Sequence, residues 1–274
     1  MTVTPFRTCI ACVLFAVSTP FTGPLAAQAR DTTPTRWTGS ADANGNLLYG
    51  AASQRVLSAG VVASRIDERA EIRLEVQGSY GDSRRTDSPI RDVVVRTSSG
   101  RASLDIRPHD RITPFGFLSA ASSLQQRFAR RLNAGVGVKY TFWRPDSVRA
   151  GFAEDASLSF ALLAEDTRPL ASSIVSGGTS RDASGTRARW SVRARFRRLL
   201  TPRLRLSHVT FYQPTAGDLP RYTLEANTVL GIPLRDRLDF TITHRERLDS
   251  EATHRGAPSN RDGQLLFGVR AAFR

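Results

Sequence analysis

A period-two alternation of apolar and polar residues runs from Trp37 to the end of the chain and limits the folds that it can adopt. The clearest segment, residues 132–143, places leucine, valine and aromatic side chains on one face and Asn133 and Lys139 on the other. Successive side chains of a strand point to opposite faces, so this pattern predicts a strand with one apolar side. We find no convincing amphipathic helix and no change of composition that would mark a second domain.

A second segment, residues 187–197, alternates apolar residues with arginines. The arginines are Arg187, Arg189, Arg193, Arg195 and Arg197. On a helix they would spread around the circumference, whereas on a strand they line one side. Two interpretations stay open. The arginines form a lumen-lining basic wall that attracts anions, or they form a buried ladder that pairs with Glu75, Glu225 and Asp239 on other strands. Repulsion among uncompensated like charges favours the ladder.

Weaker alternation elsewhere brings the expected number of strands to about twelve. The additional candidates are residues 37–47, 55–66, 72–77, 93–106, 112–124, 148–163, 204–213, 222–230, 238–243 and 264–274. Short charged connections fall at residues 67–69, 107–111, 144–146, 200–203 and 233–237. Longer connections fall between them, at residues 81–91, 165–185, 214–220 and 248–263. Short turns on one rim and longer loops on the other are typical of bacterial outer-membrane barrels. We therefore predict an all-β, antiparallel up-and-down transmembrane β-barrel of about 12 strands, with both termini on the short-turn, periplasmic side.

The apolar faces carry aromatic residues near the strand ends. These residues are Tyr140, Phe142, Trp143, Tyr222 and Phe273. Aromatic side chains at this position are typical of the girdle at a lipid boundary. The opposite faces contain glycine, asparagine, threonine, glutamate and arginine, which suit a polar lumen. The alternative is a soluble β-sandwich or lipocalin-like barrel, whose apolar faces would point inward.

The N-terminus has the features of a secretory signal peptide. Arg7 supplies the positive charge, residues 10–17 form a short apolar core, and Ala27 to Ala29 form a small-residue cleavage site. We therefore assign residues 1–29 to the signal, residues 30–36 to a short lead and residues 37–274 to the barrel. This assignment predicts export to the outer membrane. Both cysteines lie in the signal, so the mature chain has none.

The net charge of +14 comes almost entirely from arginine, because Lys139 is the only lysine. Cleavage removes Arg7 and no acidic residue, which leaves +13. The arginines are spread along the chain rather than gathered in one tail, so we do not expect nucleic acid as a partner. For an exported barrel the expected partners are outer-membrane lipid, lipopolysaccharide phosphates and small anions, since the guanidinium fork suits phosphate. The barrel-assembly machinery, acting through the C-terminal strand, is a further expected partner.

Candidate catalytic residues are few. His109 and His254 fall in connections with no partner at metal-ligand spacing, so we expect no metal and no cofactor. His208 and Thr210 share a strand face, as the histidine and hydroxyl nucleophile of some outer-membrane lipid hydrolases do. Threonine is a poor nucleophile there and no acid or amide is placed to orient the histidine. The sequence thus predicts a non-enzymatic protein, with a lipid-modifying enzyme as an alternative.

Four segments resemble a known family. They are Trp37-Thr38-Gly39-Ser40-Ala41, residues 66–80, residues 133–140 and residues 232–238. Together they are similar to the YdiY-like, salt-stress-induced outer-membrane β-barrel family, a domain of unknown function. The resemblance implies an outer-membrane barrel with no established activity. Our leading hypothesis is a small structural or envelope-stress barrel with a narrow or closed lumen. A narrow anion-preferring pore is the alternative. The chain departs from the usual barrel ending, because Phe273 is penultimate rather than terminal.

Overall fold

The computed structural model describes residues 37–48, 52–85, 90–145, 152–170 and 185–273. The predicted signal peptide and lead lie outside these residues. Within them, no helix has the length and apolar character needed to cross a membrane.

Across the described residues the chain forms a closed antiparallel barrel of twelve strands, which confirms the predicted fold. The strands are β1 (Trp37–Leu48), β2 (Ala52–Ile66), β3 (Ala70–Arg85), β4 (Asp92–Ile106), β5 (Ile112–Ser123), β6 (Phe128–Trp143), β7 (Asp155–Pro169), β8 (Gly185–Thr201), β9 (Leu204–Thr215), β10 (Asp218–Arg235), β11 (Leu238–Asp249) and β12 (Arg261–Phe273). Each strand pairs with its neighbours in the sequence. The first and last strands also pair, with Ala41 opposite Ala271. Closure pairs the backbone N–H and C=O groups of both terminal strands, as a barrel in a hydrocarbon layer requires.

The two faces of the wall have opposite chemistry. On β7, Leu158 and Phe160 are 49% and 53% exposed, whereas Ser157 and Ser159 between them are each 2% exposed. The same alternation holds on the other strands, with leucine, valine, isoleucine and aromatic side chains outward and polar side chains inward. An apolar exterior and a polar interior are the arrangement of a transmembrane barrel and the reverse of a soluble one. The lipocalin-like alternative is therefore wrong.

The barrel has two ends that we name by their connections. The short-turn end carries both ends of the described wall and the connections β2–β3, β4–β5, β6–β7, β8–β9 and β10–β11; the long-loop end is opposite. One connection at the long-loop end corrects the prediction, because residues 214–220 are mostly strand around a two-residue turn at Ala216 and Gly217. Gly217 has a φ of +84°, which glycine adopts without strain. Conversely, the predicted tight turn at residues 144–146 belongs to a longer connection between Trp143 and Asp155.

Candidate functional site in the barrel lumen

The five arginines of the predicted basic face lie on the inner side of β8. Arg187 and Arg189 are nearest the long-loop end, and Arg189 is only 1% exposed. Arg193, Arg195 and Arg197 line a cavity that extends toward the short-turn end. The strand therefore contributes to two parts of the lumen, an ion-paired part and a more open part.

The ion-paired part connects strands on different sides of the barrel. Arg131 on β6 donates from Nη2 to Asp249 Oδ2 on β11 at 2.7 Å, although five strand positions separate these two strands. Glu165 on β7 lies between two arginines, 3.0 Å from Arg189 Nη2 and 3.6 Å from Arg131 Nε. The Arg131–Asp249 contact crosses the lumen, whereas the Glu165 contacts join neighbouring strands along the wall.

The connection between β11 and β12 completes this network. Glu251 contacts Arg187 Nη1 at 2.5 Å and Arg189 Nη2 at 3.4 Å. Arg255, in the 3-10 turn Thr253–Arg255, donates to Asp249 at 2.5 Å and to the backbone oxygen of Gln126 at 3.0 Å. Burial lowers the pKa of Arg255, and the neighbouring Asp249 opposes that shift. We call these residues the ion-pair layer. It comprises Arg131, Glu165, Arg187, Arg189, Asp249, Glu251 and Arg255.

Four of the five β8 arginines have acidic partners, but these are not the acidic residues that the sequence suggested. The three acidic residues that we expected opposite β8 pair with other arginines, at 3.9 Å for Glu75 with Arg73, 2.9 Å for Glu225 with Arg247 and 3.0 Å for Asp239 with Arg205. The acidic partners of the β8 arginines are Asp155, Glu165 and Glu251. Register and loop folding decide these pairs, and neither can be deduced from alternation. Asp155 and Glu165 do lie on the strand next to β8, which was the available signal.

On the short-turn side of the ion-pair layer, arginine and phenylalanine side chains form a second layer in the lumen. Arg101 on β4 and Arg193 on β8 both lie beside the ring of Phe211 on β9, with Cζ to centroid distances of 4.6 Å and 5.9 Å. Both arginines line a cavity of about 1000 Å³. The cavity extends to the short-turn end, where Thr38 and Arg237 line it.

The predicted aromatic girdle residues lie at both ends of the outer wall. Tyr140, Phe142 and Phe273 are 48%, 60% and 41% exposed near the short-turn end. Trp143 lies there as well and stacks on Phe196, with ring centroids 6.4 Å apart. Tyr222 lies near the long-loop end, 5.5 Å from Tyr212 between centroids. Their contact with a lipid boundary stays a prediction.

His208 lies on the outer face of β9 and is bonded to two hydroxyl groups. Its Nε2 is 2.7 Å from Thr210 Oγ1, and its Nδ1 is 2.8 Å from Thr228 Oγ1 on β10. In the part of the chain that the structure describes, no carboxylate hydrogen-bonds this imidazole. The two hydroxyls provide hydrogen-bond partners for both ring nitrogens on an otherwise apolar wall. An acid that would orient the ring as a general base is not among its described partners. The described residues also contain no group of three or more acidic, histidine or cysteine side chains placed to hold a metal.

A closed wall, an apolar exterior and a polar lumen define the chain as a β-barrel of the outer-membrane type. It belongs to the DUF481 family of proteins of unknown function, whose family model matches residues 29–273. No curated protein sequence matches the chain.

The solved structures that resemble the chain include an outer-membrane channel, a porin and an autotransporter translocator domain. An outer membrane channel from Pseudomonas putida F1 has a TM-score of 0.46 at 8% identity, covering 91% of this chain and 100% of its own. The KdgM porin has a TM-score of 0.43 at 9% identity, and the match covers 86% of this chain and 99% of the porin chain. The translocator domain of the autotransporter NalP from Neisseria meningitidis has a TM-score of 0.39 at 11% identity. The match covers 89% of this chain and 90% of the translocator chain.

Proposed function

We propose that this protein is an outer-membrane barrel with a structural or envelope-stress role, whose lumen is closed at rest by the ion-pair layer. It is exported by its N-terminal signal, with cleavage near Ala29, and its short-turn end faces the periplasm. Its surroundings are outer-membrane lipid and lipopolysaccharide. The barrel-assembly machinery reads the strand that ends at Phe273.

The observation that carries the proposal is the set of contacts across the lumen. Asp249 and Glu251 together hold four arginines, from β6, β8 and the connection before β12. Asp249 is 0% exposed and Arg189 is 1% exposed, so the layer admits little water. Charge-assisted hydrogen bonds in such surroundings are strong, and ions crossing the lumen would have to break several of them.

Single-channel recording of the refolded protein in planar bilayers tests closure. We expect no resolved openings from the wild type and frequent openings from the double variant Asp249→Asn/Glu251→Gln, because four arginines lose the charge of Asp249 or Glu251 and only Glu165 stays beside Arg131 and Arg189. Asp218→Asn is the matched control, since Asp218 and Arg221 form an exposed pair at the start of β10, and the variant should stay silent. Frequent wild-type openings as large as those of the double variant would contradict closure.

A narrow anion-preferring pore is the second candidate, and the composition of the cavity favours it. Its described lining residues include ten arginines and five carboxylates. In that case the wild type would conduct with anion preference, and Arg193→Glu would reduce that preference. The same recording therefore separates the two candidates.

The proposal includes no enzymatic activity. His208 and Thr210 have the hydrogen bond of a nucleophile and base, but the third position is a threonine hydroxyl. A hydroxyl orients an imidazole without stabilising the imidazolium charge that a general base acquires.

A further inference from the structure

The lumen contains two arginines that share one aromatic ring from opposite sides of the barrel. Arg101 Cζ lies 4.6 Å from the centroid of Phe211 and 5.9 Å from that of Phe117. Arg193 Cζ lies 5.9 Å from Phe211 and 5.6 Å from Phe115. The strands that carry Arg101 and Phe211 are five positions apart around the barrel, so this contact crosses the lumen.

Neither guanidinium has an acidic partner among the described residues. Arg193 donates from Nη2 to Ser159 Oγ at 3.2 Å, and its buried Nε has no hydrogen-bond partner in the described part of the chain. The next two arginines on β8 differ, because Arg195 and Arg197 both bind Asp155. Among the described residues, the guanidinium of Arg101 makes only its contacts with the rings of Phe117 and Phe211.

Two unpaired positive charges facing one interior space are unfavourable unless an anion joins them. Cation–π contacts with phenylalanine hold the guanidiniums in place but leave most of their N–H donors free. Each free guanidinium presents a planar fork that matches carboxylate or phosphate oxygens. The cavity of about 1000 Å³ beside them is large enough for a small organic molecule.

We propose that Arg101 and Arg193 form a binding site for a polyvalent oxyanion that enters from the short-turn end. The ligand carries at least two phosphate or carboxylate groups, one for each guanidinium. Phe115, Phe117 and Phe211 hold both guanidiniums in place. The carboxylates of Glu75 and Asp105 line the same cavity, but they pair with Arg73 and Lys139. Arg235 and Arg237 line the cavity at its short-turn end and would attract an approaching anion.

Isothermal titration of the refolded barrel in a neutral detergent, with inorganic pyrophosphate as the probe, tests this site. We expect saturable binding of about one pyrophosphate per chain. Each of Arg101→Gln and Arg193→Gln should weaken it about tenfold, because a charge-assisted hydrogen bond is lost. Arg221→Gln is the matched control, since Arg221 is exposed near the start of β10 at the long-loop end, and this variant should bind pyrophosphate normally.

Heat-modifiable gel mobility shows whether each variant is folded. Arg193→Lys keeps the charge but loses the planar fork, so it should weaken binding less than Arg193→Gln. A second titration with micelles of a phosphorylated lipid distinguishes a free oxyanion from a lipid headgroup as the source. Absence of saturable wild-type binding, or equal affinity in the wild type and the two glutamine variants, would overturn the site. The measurement is independent of conductance, so it can fail while closure of the lumen holds.

Discussion

Arg131 and Asp249 meet across the barrel interior, with 2.7 Å between Nη2 and Oδ2, and both side chains are almost fully buried. Asp249 also accepts a bond from Arg255, so one carboxylate joins two strands and a loop. Its loss would leave Arg255 with no ion-pair partner among the described residues and Arg131 with only its 3.6 Å contact to Glu165, so this buried carboxylate is an important counter-charge.

Asp249→Asn should therefore lower the free energy of unfolding by about 3 kcal/mol, the usual cost of breaking a buried ion pair. Urea titration of the barrel in lipid vesicles measures the change. Asp218→Asn makes the same substitution in a pair whose side chains are 47% and 42% exposed. It should cost less than about 1 kcal/mol. Equal losses for the two variants would show that the contacts across the lumen add no stability.

Gly137 allows close approach between β6 and β7. A Cβ at this position would lie 2.3 Å from the backbone oxygen of Phe160 and 2.6 Å from Ala161 Cβ. Gly137→Ala should destabilise the barrel by about 1–3 kcal/mol, because the backbone must move. Gly263→Ala is the control, since no atom lies within 4 Å of the added methyl group. The same vesicle titration compares them, and an unchanged midpoint for Gly137→Ala would refute the close approach.

The β2–β3 turn predicts a pH dependence. Asp67 accepts hydrogen bonds from the backbone N–H groups of Ala70 and Arg69, each at 2.8 Å, and these bonds hold its pKa below the ordinary 3.8. A depressed carboxyl pKa stabilises the fold above the unfolded-state pKa, and this contribution is lost as the pH falls through the folded-state pKa. The difference in unfolding free energy between wild type and Asp67→Asn should shrink on acidification from pH about 7 to about 3. A difference that grows over this range would contradict the assignment.

The hydroxyl-bonded histidine on the outer wall predicts the absence of lipid hydrolysis. Release of fatty acid from phospholipid vesicles should be no faster with the refolded wild type than with His208→Ala or with vesicles alone. Thr210→Val provides a second comparison, because it removes the candidate nucleophile at nearly constant volume. A wild-type rate above background that both substitutions abolish would establish an enzyme.

Period-two alternation was sufficient to predict the closed wall and the inner position of the β8 arginines, because side-chain direction on a strand is a local property. It could not identify Asp155, Glu165 and Glu251 as their partners. Those contacts depend on strand register and on the inward folding of residues 250–260, which are set by the whole barrel. The turn at Ala216 and Gly217 was missed for a related reason, because polar and proline residues beside it were read as loop although they continue two paired strands.

A barrel in the outer membrane places its apolar side chains against lipid and the arginines beside them in the lumen. Trp190 tests this arrangement, because it is 37% exposed on the outer wall and follows the buried Arg189 in the sequence. Replacing Trp37 and Trp143 with phenylalanine leaves Trp190 as the only tryptophan. In vesicles containing lipids brominated on the acyl chains, its fluorescence should be strongly quenched, with little quenching by aqueous iodide. Strong iodide quenching without an effect of the brominated lipids would contradict this placement of Trp190.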